Sequence, residues 1–203
     1  MKKAWSWHEE PRPPCRSERM NSIPDWASQA SAKWKNTGQH RPPFALEPGP
    51  GQESVWDYPR PPRLDSEDRE VTVHFGTDLI AQTRAAYRVL ETAGPPTFYL
   101  PPADVDMNFL EVRSGQSRCE WKGEASYWSV VASGRRVDAA AWSYEDPFPE
   151  FDTIRGYMSF CPALLSCRVA GVPVQPQPGG VYGGWITPEV VGPFKGEPGS
   201  QDW

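Results

Sequence analysis

Lys122 is the residue whose neighbours give it the clearest chance of chemistry. In the run CEWKGEASYWSV (119–130) an indole, Trp121, precedes the amine, and the phenol of Tyr127 follows five residues later. A ring that strips water from the lysine would favour its neutral form, a base or an imine former. A lysine that keeps its charge would instead hold a carboxylate or phosphate. The competing reading is structural: Lys122 sits in a hairpin turn with its ammonium in a salt bridge. Tyr127 could give a proton to an enolate-like oxygen, while Glu91 or Asp104 acts as base or orients Lys122. That set describes an isomerase, lyase or cyclase type of reaction on a small organic molecule, with no cofactor.

The same stretches carry the rings for a pocket. Tyr99, Trp121, Trp128, Trp142 and Tyr144 could hold a flat or cationic molecule by stacking, which would make a binding module with no chemistry. Arg60 lies among Trp56 and Tyr58 in SVWDYPRPPRL (54–64). It could clamp an anion, stack on a ring, or tie its segment to the body by a salt bridge. A third reading makes the chain a scaffold that docks partners through its tryptophans. Other chemistries lack their residues: there is no serine, histidine and aspartate spacing like a nucleophile elbow, and no glycine-rich phosphate loop followed by Lys-Ser/Thr.

These residues need strands to position them. With 24 Pro and 17 Gly in 203 residues, long helices are not expected, because proline removes a backbone donor and clashes in helix interiors. Ala125 to Val131 and Val137 to Tyr144 read as a hairpin across Ser133-Gly134, after a turn at Lys122-Gly123. Glu70 to Phe75 alternates and Leu79 to Thr83 returns after the turn at 76–78. Ala85 to Glu91 reads as a strand with Glu91 on the face of Tyr87, and TFYLPP as a short strand holding Tyr99. Asp104 caps one helical turn to Leu110, and Ile154 to Phe160 and Leu164 to Val174 are closing strands. The spacing of Trp26, Ala30 and Trp34 after Asp25 predicts a short amphipathic helix over 25–35 with Asp25 as its N-cap. His74 is expected on a strand face. The glycine pairs around Tyr182 and Trp185 suggest a lid-like loop or a structural wrap.

The net charge of −5, with the acidic excess in the latter two-thirds, argues against a nucleic-acid partner. No apolar run approaches the ~20 residues of a membrane span, and the first residues lack the apolar core of a signal peptide, so a cytoplasmic protein is expected. Cys15, Cys119, Cys161 and Cys167 include no CxxC pair, so no metal is expected and the thiols read as unpaired. Trp5 and Trp7 belong to an arm that either hangs loose or caps a pocket edge. A homodimer stays open.

Four motifs in order, VWDYPRPP (55–62), VLETAGPPTFYLPPADV (89–105), CEWKGEASYWSV (119–130) and AWSYEDPFP (141–149), resemble the family called domain of unknown function 427, sometimes labelled a nucleotidyltransferase domain. The resemblance covers about 54–174. It implies a mainly β, compact antiparallel fold similar to the β-tent of methionine sulfoxide reductase B and of the thalidomide-binding domain of cereblon. Those relatives carry zinc on paired cysteines, which this chain lacks. They also bind small ligands in aromatic pockets. The tail, PQPGGVYGGWITPEVVGPFKG, resembles an extension in fungal members. The organisation expected is an arm with a short helix and a linker (1–53), the β domain (54–174) and an ordered extension packed on it (175–203).

Overall fold

In a computed structural model, residues 23–203 are described; the readings on Trp5, Trp7 and Cys15 lie outside them. Among the described residues a single α-helix, α1 (Asp25–Ser31), precedes a mainly β structure. In chain order the strands are β1 (Glu53–Ser54), β2 (Arg63–Glu67), β3 (Val71–Phe75), β4 (Asp78–Thr83), β5 (Ala86–Leu90), β6 (Thr97–Tyr99), β7 (Leu110–Cys119), β8 (Gly123–Ala132), β9 (Arg135–Ser143), β10 (Met158–Phe160), β11 (Ser166–Val169), β12 (Val172–Pro173), β13 (Gln175–Pro176), β14 (Trp185–Ile186) and β15 (Val190–Val191). They form two four-stranded sheets, β10-β9-β8-β7 and β12-β11-β3-β4, a three-stranded sheet β2-β5-β6, and the two-stranded β13-β14 and β1-β15. All pair antiparallel except β1 with β15.

Local chemistry explains the hairpins. Ser133 and Gly134 both take positive φ (+51° and +70°), the conformation a two-residue primed turn needs between twisted strands, and they join β8 to β9. Alternation in VTVHF buries Val71 and Val73 while His74 stays half-exposed on its strand, opposite Ser166. The main core lies where the sheets meet, with Val71, Val73, Ile80, Phe98, Leu100, Val130, Phe160 and Trp185 buried together. Trp185 stacks on Phe98 with ring centroids 4.8 Å apart, and its Nε1 donates to the Phe160 carbonyl at 2.9 Å. The tail is therefore part of the core.

Several elements differ from the sequence reading. The first helix stops at Ser31, and its N-cap position is Pro24 rather than Asp25, which sits in the first turn and makes no capping bond. Trp34 falls beyond the helix and reaches elsewhere. The stretch 154–160 is a 3-10 helix (Pro149–Ile154) followed by the short β10, and 164–174 is the hairpin β11-β12, turned by Ala170 and Gly171 at positive φ. Two 3-10 turns, Pro102–Asp104 and Met107–Phe109, replace the single one expected, and Asp106 caps the second by accepting from the Asn108 amide. The long strand β7 has no counterpart in the reading; nearly all its side chains face solvent, so it shows no apolar alternation.

Two irregularities shape the central sheet. Between the pairs Trp128–Ala141 and Val130–Val137, β9 carries two more residues than β8, and Ala139 adopts φ +51° there. Such bulges re-aim side chains at the edge of a sheet. Here the bulge presents Asp138 and Ala139 to a cavity.

Candidate ligand site

A cavity of about 670 Å³ lies between the central sheet, the β5-β6 region and the two terminal segments. Its body side is lined by Tyr99 from β6, Tyr127 from β8, Trp142 from β9, Tyr144, and Lys122 from the turn joining β7 to β8. Its other side is built by Trp34, by the loop 180–183 and by Lys195. Gly183 is required for that closure: a Cβ there would stand 2.0 Å from the ring of Trp142.

Lys122 is positioned by its turn. Gly123 takes φ +94°, which reverses the chain into β8, and the Lys122 carbonyl accepts from the Phe148 amide at 3.2 Å. The side chain is drawn inward and the residue is 8% exposed. Its ammonium lies 5.7 Å from the ring centres of both Tyr144 and Phe151. Among the described residues no carboxylate pairs with it. Burial pulls its pKa down, but the neighbouring Cys119, Tyr99 and Glu91 outweigh burial and hold the group above the ordinary lysine range. That direction fits a held cation better than the desolvated base or imine former suggested by its place beside Trp121.

The phenols around it stay protonated. Burial raises the pKa of Tyr99, and raises that of Tyr144 further. Their rings stand 6.3 Å apart, and Trp142 Nε1 donates to Tyr99 Oη at 3.3 Å. Tyr127 Oη shares a hydrogen bond of 2.7 Å with Ser117 Oγ. Cys119 and Cys161 also line the cavity, while Cys167 is buried elsewhere and its thiol pKa is pushed up by that burial.

Arg60 and Glu91 reach the cavity wall but hold each other. Arg60 Nε donates to Glu91 Oε1 at 3.0 Å, and its other nitrogens donate to the main-chain oxygens of Asn36, Thr92 and Trp203 at 3.2, 2.9 and 3.1 Å. Its guanidinium also lies 4.4 Å from the Trp34 ring centre. The salt-bridge and ring-stacking readings of Arg60 both hold, and few donors remain for an anion. Glu91 holds Arg60 through Oε1 and still lines the cavity.

Three expected site residues lie away from the cavity. Asp104 is exposed and accepts from Thr83 Oγ1 at 2.5 Å, because its 3-10 turn packs against β4. Trp128 packs against the main core and donates to Ser143 Oγ at 2.8 Å. Trp121 packs beneath the cavity among Val89, Tyr99 and Tyr144, with its Nε1 buried and unbonded. Of the segment 54–64, Arg60 reaches the cavity, whereas Trp56 and Tyr58 are buried in a separate cluster where Phe44, Trp56 and Trp203 meet at 5.0–5.3 Å.

Trp34 and Lys195 are cavity residues that sequence reasoning missed. Trp34 Nε1 donates to Glu120 Oε1 at 2.7 Å. The Lys195 ammonium sits 3.5 Å from the Trp34 ring centre, 5.6 Å from that of Tyr182, and donates to the Trp203 main-chain oxygen at 3.0 Å. Burial, then the charge of Arg60, bring its pKa down to about 8. The face of Trp34 favours the charged form. The cavity is thus lined by Arg60, Arg118, Lys122 and Lys195, of which Lys195 has its pKa lowered toward neutrality.

Fold and site together describe a mainly antiparallel β protein with a ring-lined cavity containing a buried cation. The family model for Domain of unknown function (DUF427) matches residues 63–171, and the chain belongs to that family. The match takes in the strands around Lys122, Tyr127, Tyr99, Trp142 and Tyr144. It leaves out the motif 55–62, Trp34 and Lys195. No curated protein matches the chain. Among the described residues no helix is long and apolar enough to cross a membrane, and no three His, Cys, Asp or Glu side chains converge as a metal site requires.

Proposed function

We propose that the cavity binds a small, flat organic anion and that the protein is a cofactor-independent enzyme of the isomerase, lyase or cyclase type. One observation carries this reading. The Lys122 side chain is buried in the wall of a ring-lined cavity, 5.7 Å from the ring centres of Tyr144 and Phe151, with no carboxylate in a salt bridge to it among the described residues. A buried charge without a partner is costly, and a ligand carboxylate or developing enolate would supply the missing counter-charge. The fixed cation then acts on whichever oxygen gains charge during reaction, and the protonated phenols of Tyr144 and Tyr99 add donors beside it. Tyr127, hydrogen-bonded to Ser117, is a further proton donor at the wall.

A non-catalytic binding module is the second reading. It is favoured by the commitment of Glu91 to Arg60 and the remoteness of Asp104, which leave the cavity without the carboxylate base first considered. As the tail resembles an extension in fungal members, we read either function as one of specialised metabolism. The test is a metabolite library screened by thermal shift against wild type and Lys122→Met, with each stabilising compound incubated and analysed by mass spectrometry. An anionic hit that is lost in the variant and converted by wild type supports the enzyme. An anionic hit lost in the variant but recovered unchanged supports the binding module. Hits bound equally by both proteins overturn the role of Lys122.

A further inference from the structure

Cys119 stands last in β7, three residues before Lys122, and its thiol lines the same cavity. The residue is only half-buried, unlike Cys167. Its immediate surroundings are the Lys122 side chain and the Tyr144 hydroxyl. A thiolate is the reactive form of cysteine. A second feature points to a ligand: Lys122 is more than nine-tenths buried, lines the cavity and has no carboxylate partner among the described residues.

From this juxtaposition we propose that Cys119 is a nucleophile that adds reversibly to an electron-poor carbon–carbon double bond conjugated to the carbonyl or carboxylate that Lys122 holds. The inference rests on the anion-binding reading above and names its substrate class: flat, unsaturated acids or keto acids. Cys119 Sγ, having lost its proton to solvent, forms a C–S bond to the β-carbon. The π pair of the double bond moves onto the conjugated oxygen, where the Lys122 ammonium and the phenolic donors stabilise the new charge. Rotation about the former double bond followed by loss of the thiolate returns the alkene in the other geometry. Proton gain at the α-carbon gives a thioether adduct instead. The isomerisation consumes no oxidant, reductant or second substrate.

The chain contains its own comparison, because Cys161 lines the same cavity but lies far from Lys122 in sequence. Wild-type protein is treated with 3-benzoylacrylate, a flat anionic Michael acceptor, or with its neutral amide, and the modified cysteine is mapped by peptide mass spectrometry. The expected result is an adduct at Cys119 ahead of Cys161 and Cys167. The carboxylate should react about tenfold or more faster than the amide relative to a free thiol, the factor that ~1.4 kcal/mol of charge attraction gives. Lys122→Met should abolish that preference and Cys119→Ser the adduct. Modification of Cys161 first, no charge preference, or no adduct would each overturn the proposal, and the site comparison within wild type needs no variant to fold. The saturated analogue 3-benzoylpropionate separates the two readings. Thermal stabilisation that depends on Lys122, without any adduct at Cys119 from the acrylate, removes the thiol step and leaves anion binding standing. No such stabilisation removes both.

Discussion

Replacing Arg60 by methionine tests whether this arginine is a latch or a ligand clamp. Its side chain is 2% exposed and ties three places together: Asn36 near the start of the described chain, Glu91 and Thr92 after β5, and Trp203. Methionine keeps much of the stem's bulk but removes every donor, leaving Glu91 unpaired and three main-chain oxygens short of a partner. Removing one partner of a buried ion pair costs ~3–5 kcal/mol. Glu91 keeps 29% of its side chain exposed, so water recovers part of that cost and the lower end, about 3 kcal/mol, is expected. In urea at pH 7, with a slope of about 2 kcal/mol/M, the midpoint should fall by about 1.5 M. Glu91→Gln, which keeps an acceptor, should lose only ~1–2 kcal/mol. A loss below ~0.5 kcal/mol for Arg60→Met, the range of ordinary surface changes, would refute the latch.

Other expectations follow from single contacts. Gly183→Ala drives a methyl into the Trp142 ring, so it should cost ~1–3 kcal/mol in denaturant and speed proteolysis within 175–184. Burial pushes the Glu67 and Glu189 carboxyls up, but their bonds to Arg69 outweigh it and hold both below the ordinary carboxylate range. The unfolded chain therefore binds more protons in acid. This stabilisation is complete above the ordinary carboxylate pKa of about 4.5 and is lost as pH falls through the depressed folded values; Arg69→Met should flatten the acid limb of a melting-temperature curve. Lysine side-chain carbon signals in NMR should show Lys195 titrating near pH 8 and Lys122 unmoved through the ordinary lysine range.

The sequence made the ring-bearing strands legible and the cavity's far side illegible. Lys122, Tyr127, Trp142 and Tyr144 could be grouped because one hairpin pattern places them within 25 residues, and Tyr99 and Glu91 because short alternating strands carry them. Trp121 and Trp128 were grouped by the same closeness, but their faces turn toward core packing, which depends on the register and bulge of β8 and β9. β7 was invisible for a physical reason: an exposed edge strand needs no apolar alternation. Lys195 and Trp34 come from opposite ends of the described chain, and no local pattern reports a contact over that separation. The one signal that did point there was the glycine pairs around Tyr182, whose loop lines the cavity as Gly183 presses on Trp142.

The central claim is that the Lys122 ammonium awaits an anionic ligand. A crystal structure of wild type soaked with 3-benzoylpropionate, or with the strongest carboxylate from the library screen, tests it most directly. The account predicts density in the cavity with the carboxylate on Lys122 Nζ and the flat part of the ligand among Tyr99, Trp142 and Tyr144. A ligand in that cavity with its carboxylate turned away from Lys122, or bound only outside it, would contradict the account.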